Sequence, residues 1–321
     1  MNYFITELGF EGKVPKEHTN LRAAETWIKY LDSYHINLFK VLKEDKVYRG
    51  TCWLIIPKGL KAVHFLMQHH QDLISNLKTK FDKVYCIQEG ETTFWNHYSV
   101  AIQVWIYLQF QASDKIYTQN TYDIKYLKGL FPDNNFGILR SVLDDSVLDK
   151  NNFKSKQDKV ILPGPYTIEY HGFVQTCIAH HTNCTIDIPP MGNSRMPKDS
   201  WDMADNVGVN YLDYMMWKEW MENLSQYRYA YFLVPIIGAG TFPLNCAYHG
   251  IPCIGDGRAE TQSLLYPDLC VEYLDLEKAL KLTKQLSSDK EFYNHTSEYA
   301  KQMIDVHFSK EEFLKTIKKT Y

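Results

Sequence analysis

The chain has 321 residues, 45% of them hydrophobic and 14% aromatic, enough to bury two ordinary cores, and its length suggests two domains. A formal net charge of -3 excludes the overall basic field on which non-specific nucleic-acid binding depends. Seven cysteines, an odd number with no Cys-x-x-Cys, argue for reduced core thiols, and no apolar run reaches the roughly 18 residues of a membrane span, so a cytosolic protein is expected.

The first half alternates strand-like and helix-like segments. A strand is expected at residues 3–8, then a loop ending in Thr19-Asn20, a helix N-cap signal, and a helix over 21–31. Strand-like runs follow at 36–41, 52–56 and 83–87, with a helical pattern over 60–81. Residues 99–110 form a helix apolar nearly all round, which predicts burial on every face. Strands at 113–118 and 136–142 continue the alternation, with Asn120 and Asp123 placed to cap the helix between them. Such alternation predicts a parallel sheet covered on both faces.

Residues 145–158 are polar and charge-rich, which suits a link between a domain over 1–150 and another over 159–321. The second domain repeats the alternation, with strands at 160–162, 185–188, 207–212, 229–234 and 270–273. Helices are expected at 173–179, 217–224, 276–286 and 291–321, the last crossing back onto the first domain. Between the fourth and final strands lies Gly238-Ala-Gly-Thr-Phe-Pro-Leu-Asn-Cys-Ala-Tyr-His-Gly-Ile-Pro-Cys-Ile-Gly255. It reads as a glycine turn, a short helix and a buried strand. Free backbone N–H groups and the helix dipole at its start suit a diphosphate. Two doubly wound domains place ligands at the carboxyl ends of their strands, so function is expected in a cleft between the two.

Several chemistries find no support. There is no P-loop and no G-x-S-x-G, and Gly255-Asp-Gly-Arg-Ala-Glu260 misses the dinucleotide fingerprint by ending in Glu. The pairs His69-His70 and His180-His181 lack zinc-ligand spacing and read as structural or helix-end residues, and no Asp-x-Asp is present to hold a metal.

The segment from Gly240 to Pro252, with Cys253-Ile-Gly255, resembles the donor domain of GT-B glycosyltransferases. The resemblance implies an α/β chain of two Rossmann-like doubly wound domains facing across a cleft, the second binding a nucleotide diphosphate sugar, UDP-sugar first, as co-substrate without a cofactor. Retaining members carry a Glu five residues before Gly-x-Pro to hold the donor ribose. This chain has Asn245 there, which tilts the expectation toward an inverting, metal-independent enzyme. Donor contacts are expected from Gly164, Gly240, Thr241 and Asn245, from Tyr211 and Tyr214 near the base, with Asp213 beside them, and from Arg195 and Lys198 on the leaving diphosphate. A plain packing turn at 240–252 and a solvated basic loop at 190–198 are the structural alternatives.

In the first half, Tyr85-Cys-Ile-Gln-Glu-Gly-Glu-Thr-Thr-Phe-Trp-Asn-His97 sets two carboxylates and a histidine just past a strand. Inverting transfer needs a base to take the acceptor hydroxyl's proton. Glu89 is the first choice, with Glu91 and His97 in reserve, though Glu89 in a capping role alone is the plainer alternative. Glu89 is also similarly placed to an Asp in the beta-glucosyltransferase of T-even bacteriophages. His18, Asn20 and Arg22 are candidates for the acceptor. The acceptor is unspecified: that likeness implies a hydroxymethylated pyrimidine in phage DNA, acting in a host cytoplasm, and a glycan or cell-envelope hydroxyl is the alternative. A binding protein that kept the shape without catalysis is the third reading. No protein partner follows from the sequence.

Overall fold

The computed structural model describes residues 1–18, 20–90, 92–164, 166, 170–190, 206–235, 238 and 240–320. Two compact units result. The first holds residues 1–18, 23–142 and 310–321; the second holds residues 20–22 and 143–309.

In the first unit a six-stranded parallel sheet runs in the order β2-β1-β3-β4-β5-β6. Its strands are β1 (Asn2–Thr6), β2 (Tyr34–Asn37), β3 (Thr51–Ile55), β4 (Lys83–Ile87), β5 (Lys115–Thr118) and β6 (Phe136–Ile138). Successive side chains of a strand face opposite ways, and both faces of this sheet are buried. Ile5, Cys52, Leu54, Cys86 and Ile116 pack into one core, beside Leu66, Leu77, Ile102 and Phe110 of the covering helices. Their neighbours Phe4, Trp53, Ile55, Ile87 and Tyr117 pack into the other, beside Trp27, Ile28 and the C-terminal Phe313 and Ile317.

The C-terminal Lys310–Thr316 helix therefore completes the first unit's core. Tyr117 donates its hydroxyl to the Ile317 carbonyl at 3.2 Å, and the Lys115 ammonium donates to the Lys319 carbonyl at 3.0 Å. Phe313 is fully enclosed, so Phe313→Ala removes a ring and leaves a cavity. The expected loss is about 3–5 kcal/mol of unfolding free energy, read from the urea midpoint.

Several predicted segments divide or end early. Residues 38–41 were expected as strand but begin the Leu38–Lys43 helix, because the Asn37 side chain accepts the Phe39 N–H and caps it. The 60–81 pattern is two helices, Leu60–His69 and Leu73–Lys78. The Val100–Ala112 helix is buried on one face only: Ile102, Trp105, Ile106 and Phe110 are enclosed, while Val100, Val104 and Leu108 are exposed. Asn120 takes the N-cap position of the Thr121–Leu130 helix, as expected, but its side chain donates to the Asp123 carboxylate and makes no cap hydrogen bond to the backbone. The long C-terminal helix breaks after Lys290–His307. Cys177 is exposed, against the expectation of core thiols throughout.

The second unit's sheet is also six-stranded and parallel, in the order β12-β11-β10-β7-β8-β9. Its strands are β7 (Lys159–Ile161), β8 (Thr185–Ile188), β9 (Val209–Tyr211), β10 (Tyr229–Phe232), β11 (Cys253–Asp256) and β12 (Cys270–Val271). The order reverses between β7 and β10, and in doubly wound sheets that reversal opens a crevice at the carboxyl ends of the strands. Gln175, from the Gly172–Ala179 helix after β7, accepts the Leu233 N–H at 3.0 Å and ties the two sides of the reversal together.

Burial also sets a pH dependence. His249, at the end of the Thr241–Tyr248 helix, is pulled down to about 3, first by burial and then by the nearby Lys156 charge. His35 is lowered too, by burial, while its ring contacts the Phe10 carbonyl and the Thr6 hydroxyl. When folded, His249 stays neutral down to about pH 3 and His35 binds its proton below its ordinary range, whereas the unfolded chain takes up both protons near 6.5. The unfolded state thus binds more protons below that value, and stability falls as the pH drops from about 6.5 toward 3. Urea midpoints at pH 7.5, 5.5 and 4.5 should decrease in that order, and His249→Gln should flatten the trend.

Candidate functional site

From Gly240 onward the motif folds as the Thr241–Tyr248 helix followed by β11. Gly240 adopts the left-handed conformation at φ 64° and caps the Thr241–Tyr248 helix without a side-chain hydrogen bond. The first N–H groups of a helix lack intrahelical partners. Here the N–H groups of Thr241 and Phe242 find no acceptor among the described residues, and Pro243 removes a third donor. Two donors and the helix dipole therefore converge just past β10.

The glycine is required twice over. A left-handed residue with a side chain is strained, and a Cβ here would fall on the Thr261 hydroxyl. That hydroxyl is buried and unpartnered. One turn along, Asn245 is 8% exposed, and its carboxamide bonds to no described residue. Thr241 and Asn245 are four apart and share a helix face. Phe242 stacks on Phe232 at 6.0 Å and anchors the helix start over the sheet.

The other donor candidates fare differently. Gly164, past β7, is enclosed, and a Cβ on it would lie 2.6 Å from the Tyr170 ring; a packed aromatic demands this glycine. Tyr211 turns edge-on to Tyr166, which bonds to Thr176 of the Gly172–Ala179 helix. Tyr214 is 36% exposed, with the Arg22 guanidinium 5.8 Å over its ring. Arg195 and Lys198 lie outside the described residues.

The three acceptor candidates divide between the two units. Asn20 and Arg22 belong to the second unit: the Asn20 carboxamide oxygen accepts from Trp217 N–H at 3.2 Å and from Arg22 at 3.1 Å. Both therefore shape the start of the Trp217–Leu224 helix. His18 stays in the first unit, 3.9 Å from Glu25 and tilted against the Phe10 ring at 5.4 Å.

In the first unit a polar cluster forms past β3, β4 and β5. Glu89 pairs with the Lys58 ammonium at 3.5 Å, both side chains about one-third exposed. Gly90 is left-handed at φ 76°, and its N–H donates to Gln119 Oε1 at 3.2 Å. The Tyr98 hydroxyl fixes the Lys58 carbonyl at 2.6 Å. Glu89 thus stands as an accessible carboxylate on a built turn, which suits a proton acceptor. His97 ends a 3₁₀ turn and is exposed, and Glu91 lies outside the described residues.

Sequence reasoning missed a groove past β10, β11 and β12, lined by His171, Leu233, Asp256, Val271, Tyr273 and Leu276. Asp256 grips Arg258 through a two-pronged contact, 2.6 Å at its shortest, and the guanidinium lies 4.9 Å over Tyr273. An Asp-x-Arg after a buried strand was the available signal. Among the described residues no group of three His, Cys, Asp or Glu side chains could hold a metal, and no helix is long and apolar enough to cross a membrane.

No protein-family model matches the sequence, and no curated protein matches it. Solved structures do. Sucrose-phosphate synthase from Thermosynechococcus elongatus superposes with a TM-score of 0.64 at 10% identity, covering 94% of this chain and 77% of that one. TarM of S. aureus, solved with Fondaparinux, alpha-GlcNAc-glycerol and UDP, gives 0.63 at 10% identity over 87% of this chain and 57% of its own. An alpha-glucosyltransferase in complex with UDP and a DNA containing an HMU base gives 0.58 at 13% identity, over 88% of this chain and 84% of that one. The chain is thus a protein of two doubly wound α/β units. Its fold is that of the GT-B glycosyltransferases.

Proposed function

We propose that the protein is a glycosyltransferase that moves a sugar from a UDP-sugar to an acceptor hydroxyl without a resident metal. One observation carries the reading: a helix start with two free N–H donors, capped by an obligatory left-handed glycine just past β10 of a doubly wound sheet, with the enclosed Asn245 unpartnered beside it. The donors would take the diphosphate and offset the charge that grows on it as the sugar leaves. Asn245 would hydrogen-bond a ribose hydroxyl. Arg195 and Lys198 remain proposed contacts from the sequence alone.

The first unit would take the acceptor, with Glu89 accepting the hydroxyl proton in an inverting transfer. Three structural neighbours favour a second reading, retention of configuration. One is named an alpha-glucosyltransferase, another holds alpha-GlcNAc-glycerol, and a third concerns glycosyltransfer with retention. For the acceptor we favour a hydroxymethylated pyrimidine in DNA. The support is the neighbour solved with HMU-containing DNA, which this chain covers over 84% of its length. A glycan or envelope hydroxyl is the alternative.

Radiolabelled UDP-sugars incubated with hydroxymethylated DNA, unmodified DNA and a panel of glycans test this. Label in hydroxymethylated DNA alone is the expected result; label in a glycan alone would move the acceptor. Proton NMR of the product assigns the anomer and decides between inversion and retention.

A further inference from the structure

The donor helix has a neighbour whose chemistry the packing leaves unspent. Thr261, in the Glu260–Leu265 helix, is 3% exposed, and its hydroxyl has no hydrogen-bond partner. A buried hydroxyl left unpaired costs about 1–3 kcal/mol, so such groups are uncommon in native interiors. This one lies where the side chain of residue 240 would begin, against the cap of the Thr241–Tyr248 helix. Gly240 leaves the helix without a side-chain oxygen, and Thr261 brings one from a different helix.

A hydroxyl donates as well as accepts. Beside the free N–H groups of Thr241 and Phe242, it would supply a third donor to an anion at this helix start. We propose that Thr261 is a ligand of the donor's diphosphate, bonding a terminal phosphoryl oxygen that a nucleoside monophosphate lacks. The proposal rests on the donor-site reading above. It adds a residue from outside the glycine motif and assigns it the discrimination between diphosphate and monophosphate.

Titration calorimetry with UDP and UMP on the full chain tests it, using Thr261→Val and Thr261→Ser. Valine keeps the volume and removes the donor. The expected result is about a tenfold weaker UDP affinity for Thr261→Val, UMP affinity unchanged, and Thr261→Ser within about twofold of the parent. The valine variant should melt no lower than the parent, since it removes an unpaired buried hydroxyl. Unchanged UDP affinity in Thr261→Val would overturn the assignment, as would equal weakening of UDP and UMP. A parent protein that binds neither UDP nor UMP would instead overturn the donor-site reading itself, and this assignment with it.

Discussion

Gly240→Ala is expected to cut UDP affinity at least about tenfold and to lower stability. Two penalties act at once. Holding alanine in the left-handed region at φ 64° costs about 1–2 kcal/mol relative to glycine. The new methyl would also meet the Thr261 hydroxyl, in a core where a buried helix cannot readily yield. The variant must twist its cap away, and the N–H groups of Thr241 and Phe242 lose their common aim. Calorimetry with UDP and a urea titration measure the two effects separately. Alanine at 240 with parental UDP affinity would show that this turn holds no diphosphate.

Glu89→Gln is expected to reduce sugar transfer by about 10²–10⁴-fold while leaving UDP affinity unchanged. Glutamine keeps the shape and removes the proton acceptor. The Lys58 partner loses its ion pair, but both groups are partly solvated, so little stability goes with it. Single-turnover rates with the competent acceptor provide the measurement. A full-rate Glu89→Gln variant that forms the same anomer removes Glu89 from the chemistry and favours the retaining reading, in which a base on the acceptor domain is dispensable.

Local chemistry made much of the fold legible. Residues 83–87, 185–188 and 217–224 form the expected strands and helix at the expected bounds, because short apolar runs flanked by polar residues leave little choice of register. Alternation of strand and helix also pointed to two parallel sheets. Errors arose where a single side chain redirected the backbone, as Asn37 does at 38–41. The Val100–Ala112 helix misled for another reason: its composition is apolar all round, yet only packing decides which face is covered.

At the site, the glycine turn and its helix were readable because φ and donor count follow from residue type. Thr261 was not. Its hydroxyl reaches Gly240 only through the packing of two helices separated in sequence by β11, and no spacing rule encodes that. The contacts of Asn20 and Arg22 were hidden for the same cause, since the start of the Trp217–Leu224 helix, which they meet, lies nearly two hundred residues away. The Tyr170 ring that a Cβ at Gly164 would meet is likewise set by packing and not by any spacing in the sequence.

The most direct test of the central claim is release of UDP from UDP-sugars by the parent protein. A coupled assay across UDP-glucose, UDP-galactose, UDP-GlcNAc and UDP-GalNAc, with hydroxymethylated DNA present, should show UDP release from at least one donor and its loss in Gly240→Ala. No release from any of them, together with no measurable binding of UDP, would contradict the account.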